Sequence, residues 1–121
     1  MFRATWNGAV IAESDRTVVV EGNHYFPPET VDQRYLRSAP NHTTCHWKGV
    51  ASYFDVVVDD TVNEGAAWLY PRPLPAAERI SGHIAFWKGI KVREVSGAEA
   101  GAAASGGSRR GRGLRALLMR R

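Results

Sequence analysis

The nine-residue run Val50-Ala51-Ser52-Tyr53-Phe54-Asp55-Val56-Val57-Val58 restricts the fold more than any other segment of the chain. Alternation along a strand sends Val50, Ser52, Phe54, Val56 and Val58 to one face and Ala51, Tyr53, Asp55 and Val57 to the other. Both faces carry apolar groups, so the run reads as a central strand that needs cover on each side. The remaining chain is long enough to supply it. At 121 residues there is room for one domain and not two, since domains most often hold about 100–150 residues. The 44% apolar content and four tryptophans suffice for one core, because a buried aromatic side chain removes about 150–250 Å² from water.

Period-two patterns and short apolar runs place further strands near residues 3–6, 10–13, 17–21, 43–47, 67–70, 83–87 and 91–95. Asn7-Gly8 marks a hairpin, since a type I′ turn needs positive φ at both central residues. Lys48-Gly49 permits a reversal after Trp47. Two short helical pieces are expected. In "ETVDQRYLR", residues 29–37, acids open the segment and arginines close it, which suits the helix dipole, with Val31, Tyr35 and Leu36 toward the sheet. "PAAERI", residues 75–80, forms one more turn. The expected fold is mainly β, a compact single-domain antiparallel sandwich or barrel with one or two short helices.

Composition changes at Ser96, where "SGAEAGAAASGGSRRGRGLRALLMRR" replaces the alternating pattern. Residues 1–95 are expected to be the compact domain and residues 96–121 a flexible basic tail rich in glycine, alanine and arginine. The formal charge of +4 divides there: ten Lys/Arg against eleven Asp/Glu before the boundary, six Arg against one Glu after it. Nucleic acid is therefore a candidate partner only through Arg109, Arg110, Arg112, Arg115, Arg120 and Arg121. The apolar runs, Val56 to Val58 among them, fall far short of the roughly 20 residues of a membrane helix. One cysteine makes no internal disulfide and the first residues lack a secretory apolar stretch, so a cytosolic protein is expected.

Cys45 is the candidate nucleophile, but it reads first as a packed structural thiol and next as a pocket wall; reactivity requires a cation, a base or a helix N-terminus to lower its pKa. His46, adjacent in sequence, points to the opposite face of a strand. One Cys and scattered His provide no four-ligand zinc set, so no metal or other cofactor is expected. Asp59-Asp60 suits a hairpin turn. There is no phosphate-binding P-loop and no G-x-S-x-G elbow. Lys48, between Trp47 and Gly49, is either a solvated turn lysine or an anchor for a ligand carboxylate or phosphate. Tyr25, Tyr53, Trp68, Tyr70 and His83 combine apolar rings with polar tips, the mixture that lines concave ligand sites.

The stretches "FRATWNGAVIAES", "HYFPPETV", "TTCHWKGVASYFDV" and "AAWLYPRPLPAAERISGHIAFW" together resemble a bacterial family, domain of unknown function 427, sometimes labelled nucleotidyltransferase-like. The resemblance runs over about residues 2–95 and includes T-x-C-x-x-K-G-x-A-x-Y, the Tyr-Phe-Pro segment, W-x-Y-P and H-x-A-F. Matching positions are Tyr25, Phe26, Pro27, Thr43, Cys45, Lys48, Gly49, Tyr53, Trp68, Tyr70, His83 and Phe86. It implies a compact antiparallel β domain similar to the tent-like folds of certain zinc-binding and sulfoxide-reducing proteins. The zinc cysteine pairs of those proteins are absent here, as is the Gly-Ser plus paired-Asp arrangement of metal-dependent phosphoryl transfer. The leading expectation is a small-molecule-binding domain with Tyr25, Cys45, Lys48, Tyr53, Trp68, Tyr70 and His83 around an aromatic-lined pocket. An enzyme using Cys45 or a Lys48/His83 pair, and an interaction module acting through the tail, are the alternatives.

Overall fold

A computed structural model describes residues 1–96. Among the described residues, nine strands form three antiparallel sheets. β1 (Phe2–Trp6) pairs with β2 (Ala9–Ser14) and with β9 (Lys91–Glu94). β3 (Val18–Val20) and β4 (Asn23–Tyr25) make a two-stranded hairpin. β5 (Leu36–Cys45), β6 (Gly49–Val58), β7 (Thr61–Leu69) and β8 (Ile84–Phe86) follow one another across the third sheet. The architecture is mainly β and layered, without a closed barrel. No helix among the described residues is long and apolar enough to cross a membrane.

The expected central strand is β6, paired on both edges and buried on both faces. Phe54, Val56 and Val58 pack with Ala67, Ile84 and Phe86 against Ala4, Ile11 and Ala12 of the first sheet. Ala51 and Tyr53 turn to the opposite side, where Trp68, Tyr70 and Ala85 meet Val20 and Tyr25 of the β3–β4 hairpin and Ala77 and Ile80 of a 3-10 turn. β6, β7 and β8 thus each contribute residues to both cores. β4 joins both, with Tyr25 in one cluster and Phe26 in the other, and Phe26 is bridged to Ile84 of β8.

The Asn7-Gly8 turn forms as expected, with φ of 51° and 81°. Asp59-Asp60, φ 50° and 64°, turns β6 into β7 in the same left-handed manner. The pairing of β6 with β7 shifts register between Phe54 and Val56, and Asp55 stabilises that irregularity. Its carboxylate accepts the Gly65 backbone N–H at 2.9 Å and the Arg37 guanidinium at 2.8 Å.

Residues 29–37 depart from the expected helix. They form two 3-10 turns, Pro28–Thr30 and Gln33–Tyr35, separated by an extended Val31. Val31 bridges to Ala12, and the Asp32 N–H donates to the Ile11 carbonyl at 2.8 Å, so pairing with β2 takes the backbone groups a helix would use. Asp32 caps the second turn by accepting the Arg34 N–H at 3.1 Å. Residues 75–80 are also 3-10 in character. β4 ends just before the Pro27-Pro28 pair, which was expected to stop a strand after Phe26; most of β5 was not anticipated, and β7 begins at Thr61 rather than Ala67.

Candidate functional site

Cys45 faces Gly49 across the β5–β6 pairing, which leaves His46, Trp47 and Lys48 as a connecting loop. Trp47 is therefore on the loop and not on the strand face of Thr43 and Cys45. Gly49 is required by its backbone conformation, and it lies in ordinary van der Waals contact with a second loop. Its φ is +111°, and a Cβ there would lie 3.4 Å from the Leu74 nitrogen and 3.5 Å from the Arg72 carbonyl. The Leu74 N–H in turn donates to the Lys48 carbonyl at 2.9 Å, so the Arg72–Leu74 segment holds the lysine backbone.

This geometry sends the Lys48 side chain inward. Lys48 is 7% exposed, which excludes the solvated turn lysine. Its ammonium lies 5.0 Å from the Trp47 ring centroid and 5.8 Å from that of Tyr70, within range for cation–π attraction. It also forms an ion pair with Glu21. Burial pulls the lysine pKa down, but the hydrogen bond to Glu21 and the surrounding Tyr70, Cys45 and Glu21 groups outweigh it and hold the pKa above the ordinary lysine range. A lysine nucleophile needs the opposite shift. At neutral pH Lys48 is a fixed cation.

Its partner is placed differently. Glu21 sits at the tip of the β3–β4 hairpin with φ 53°, ahead of Gly22 at φ 80°. The Glu21 side chain is 52% exposed. The Lys48 hydrogen bond depresses its carboxyl pKa first, against slight burial, with further help from the Lys48 charge and the Trp47 indole.

Around the ion pair stand the tyrosines, the thiol and Trp68. Tyr25 is 1% exposed, and its hydroxyl accepts the Trp68 indole N–H at 3.2 Å. The two rings meet edge to face with centroids 6.1 Å apart. Burial raises the Tyr25 pKa, and Trp68, Lys48, Glu21 and Cys45 all act on it to smaller extents. Burial likewise raises the pKa of Tyr70, which is 6% exposed and also feels Lys48, Tyr25, Cys45 and Tyr53. Both phenols stay protonated at neutral pH. The Tyr70 hydroxyl has no hydrogen-bond partner among the described residues. Buried polar groups are nearly always paired, so this one is notable. The Tyr53 hydroxyl shares a hydrogen bond with Thr43 Oγ1 at 3.0 Å near the surface.

Cys45 is half-buried. The backbone N–H of Trp47 is the strongest influence on its thiol, opposed by burial and assisted by the N–H of Lys48 and the Lys48 charge. The net effect lowers its pKa.

Six of the seven residues nominated from sequence therefore gather: Tyr25, Cys45, Lys48, Tyr53, Trp68 and Tyr70. His83 is elsewhere, its Nδ1 hydrogen-bonded to the Ser81 carbonyl at 3.0 Å. The interactions of Lys48 run to Glu21, Trp47 and Tyr70, not to His83. Glu21 and Trp47 were missed. A groove of about 320 Å³ lies beside the β1–β2 turn, lined by Trp6, Asn7, Gly8, Gly89 and Lys91 among others, and shares no residue with the Lys48 cluster. No group of three or more His, Cys, Asp or Glu able to hold a metal ion occurs among the described residues. The arginines proposed to contact nucleic acid, Arg109 to Arg121, lie outside the described residues.

No curated protein matches this chain. A family model described as a domain of unknown function, DUF427, matches residues 1–97, covering both cores and every residue of the Lys48 cluster. The chain belongs to the DUF427 family.

Proposed function

We propose that the chain binds a small molecule with an anionic group and a flat apolar body, and that Lys48 is the anchor for the anion. The observation that carries this reading is a protonated lysine, 7% exposed, with its ammonium 5.0 Å from the Trp47 ring and 5.8 Å from the Tyr70 ring. Taking an ammonium out of water is unfavourable, and an apolar side chain of similar length would fill the space at lower free energy. The retained charge fits recognition of an anion. The Tyr70 hydroxyl, without a hydrogen-bond partner among the described residues, is a second donor near it, and the rings of Trp47, Tyr70 and Tyr53 suit the apolar portion of a ligand. A single unpaired thiol agrees with a reducing, cytosolic setting.

Thermal unfolding in the presence of benzoate, indole-3-carboxylate and phenyl phosphate tests the reading. A ligand at a hundred times its Kd stabilises by about 2.7 kcal/mol, a rise of about 10–20 °C for a domain of this size. The rise should vanish in Lys48→Met, with the fold of the variant checked by circular dichroism. A rise that survives in Lys48→Met would place binding elsewhere.

One observation favours a second reading, an enzyme that uses Cys45. The Trp47 and Lys48 N–H groups and the Lys48 ammonium favour the thiolate. Alkylation by iodoacetamide near neutral pH should then be faster for the folded protein than for the denatured chain, and an equal or slower rate removes this reading.

A further inference from the structure

We infer that the anionic group is a carboxylate that takes the place of Glu21 at Lys48, so that the β3–β4 hairpin tip is a built-in competitor for the site. This rests on the binding reading above and names the ligand chemistry and the residue that sets its affinity.

The two halves of the ion pair are held unequally. Lys48 is enclosed, and its backbone carbonyl is tied to Leu74. Glu21 stands on the exposed two-residue turn of the β3–β4 hairpin, at the end away from the Phe26–Ile84 bridge that ties β4 to β8. The positive φ at Glu21 also belongs to a turn type usually built from Asn, Asp or Gly. Strained backbone of this kind concentrates at ligand clamps and switch regions. Here it places a carboxylate over the buried ammonium.

Exchange would not strand the buried charge. One oxygen of an incoming carboxylate would inherit the Lys48 ammonium, while Glu21, already half in water, returns to solvent. A second oxygen could accept the Tyr70 O–H, which Glu21 leaves without a partner. One lysine matches the single charge of a carboxylate better than the double charge of a phosphate monoester. While Glu21 occupies Lys48, the apparent affinity of a ligand falls by the fraction of time that the site is free.

The test is a chemical-shift titration of the Trp47 indole N–H with benzoate and with neutral, isosteric benzamide. Wild type, Glu21→Gln, Glu21→Asn and Lys48→Met are compared. Benzoate should bind both Glu21 variants about three- to tenfold more tightly than wild type, with no binding of benzamide and none of benzoate to Lys48→Met. Glu21→Asn keeps a residue suited to the turn, so the same gain in both variants separates loss of the carboxylate from a change of hairpin shape. Equal affinity in wild type and the Glu21 variants, abolished in Lys48→Met, overturns the exchange while the anion site stands. Weaker binding in the Glu21 variants also overturns it, because Glu21 would then assist the ligand. Failure of benzoate to bind any of these proteins overturns the carboxylate assignment, and the wider binding reading is then judged by the metabolite measurement that closes the Discussion.

Discussion

Replacing Tyr25 by Phe removes one oxygen from the centre of the second core and leaves the ring in place. In the native protein that oxygen accepts the Trp68 indole N–H at 3.2 Å, and Tyr25 is 1% exposed. The truncation creates almost no cavity, so the cost comes from an indole N–H left buried without an acceptor, about 1–3 kcal/mol. A domain of 60–100 residues loses about 4–8 °C of melting temperature per kcal/mol, so a mid-range loss of about 2 kcal/mol lowers Tm by about 8–16 °C. Urea denaturation followed by tryptophan fluorescence measures the free energy, and differential scanning calorimetry measures the Tm. Trp68→Phe and the double variant complete a cycle: once the indole N–H is gone, the Tyr25 hydroxyl should matter much less, with a coupling above about 0.5 kcal/mol. A Tyr25→Phe loss below about 0.5 kcal/mol, or strict additivity in the cycle, would refute the argument that this hydrogen bond organises the core beneath Lys48.

Two further perturbations examine the scaffold. Asp55→Asn weakens the acceptor shared by the Gly65 N–H and Arg37 and should cost about 1.5–3 kcal/mol in urea denaturation. The Gly65 N–H and then Arg37 hold the Asp55 pKa below the ordinary carboxylate range. Its stabilisation is therefore complete above the unfolded value of about 3.9 and drains away as pH falls through the lower folded value. Wild type should lose stability on acidification below about pH 4 more steeply than Asp55→Asn. Gly49→Ala puts a Cβ on a backbone with φ +111° beside the Arg72–Leu74 segment. A cost of about 1–3 kcal/mol in the same assay, with a shifted Trp47 emission, is the expected outcome.

How much could be read from the residues depended on whether local chemistry or distant pairing decided each segment. Asn7-Gly8 and the doubly apolar run at residues 50–58 were legible because the determining signal lies within a few residues. Residues 29–37 were not, because their charge pattern suits a helix while the decisive contacts, Val31 with Ala12 and Asp32 with Ile11, are with a strand nearly twenty residues earlier. The first half of β7, with polar residues at Asn63 and Glu64 and a glycine at 65, lacks the apolar alternation of a strand and is set by its pairing with β6.

The site was legible in its aromatic and thiol members and obscure in its charges. The family resemblance pointed to Tyr25, Cys45, Lys48, Tyr53, Trp68 and Tyr70, and alternation placed Trp68 and Tyr70 on one face. Nothing local distinguishes a buried lysine after a tryptophan from an exposed one. Its burial follows from the Arg72–Leu74 segment against Gly49, and its pairing follows from a hairpin tip 27 residues earlier. A glutamate before Gly22 in a tight turn was the available clue to Glu21, since glutamate is rarely chosen there.

Native mass spectrometry of the wild-type protein and Lys48→Met, each exposed to the same cytosolic metabolite extract, tests the central claim most directly. The account predicts a reproducible added mass on the wild type that is absent from a folded Lys48→Met, with a composition that includes an acidic group. The same added mass on both proteins, or none on either, would contradict a ligand site anchored at Lys48.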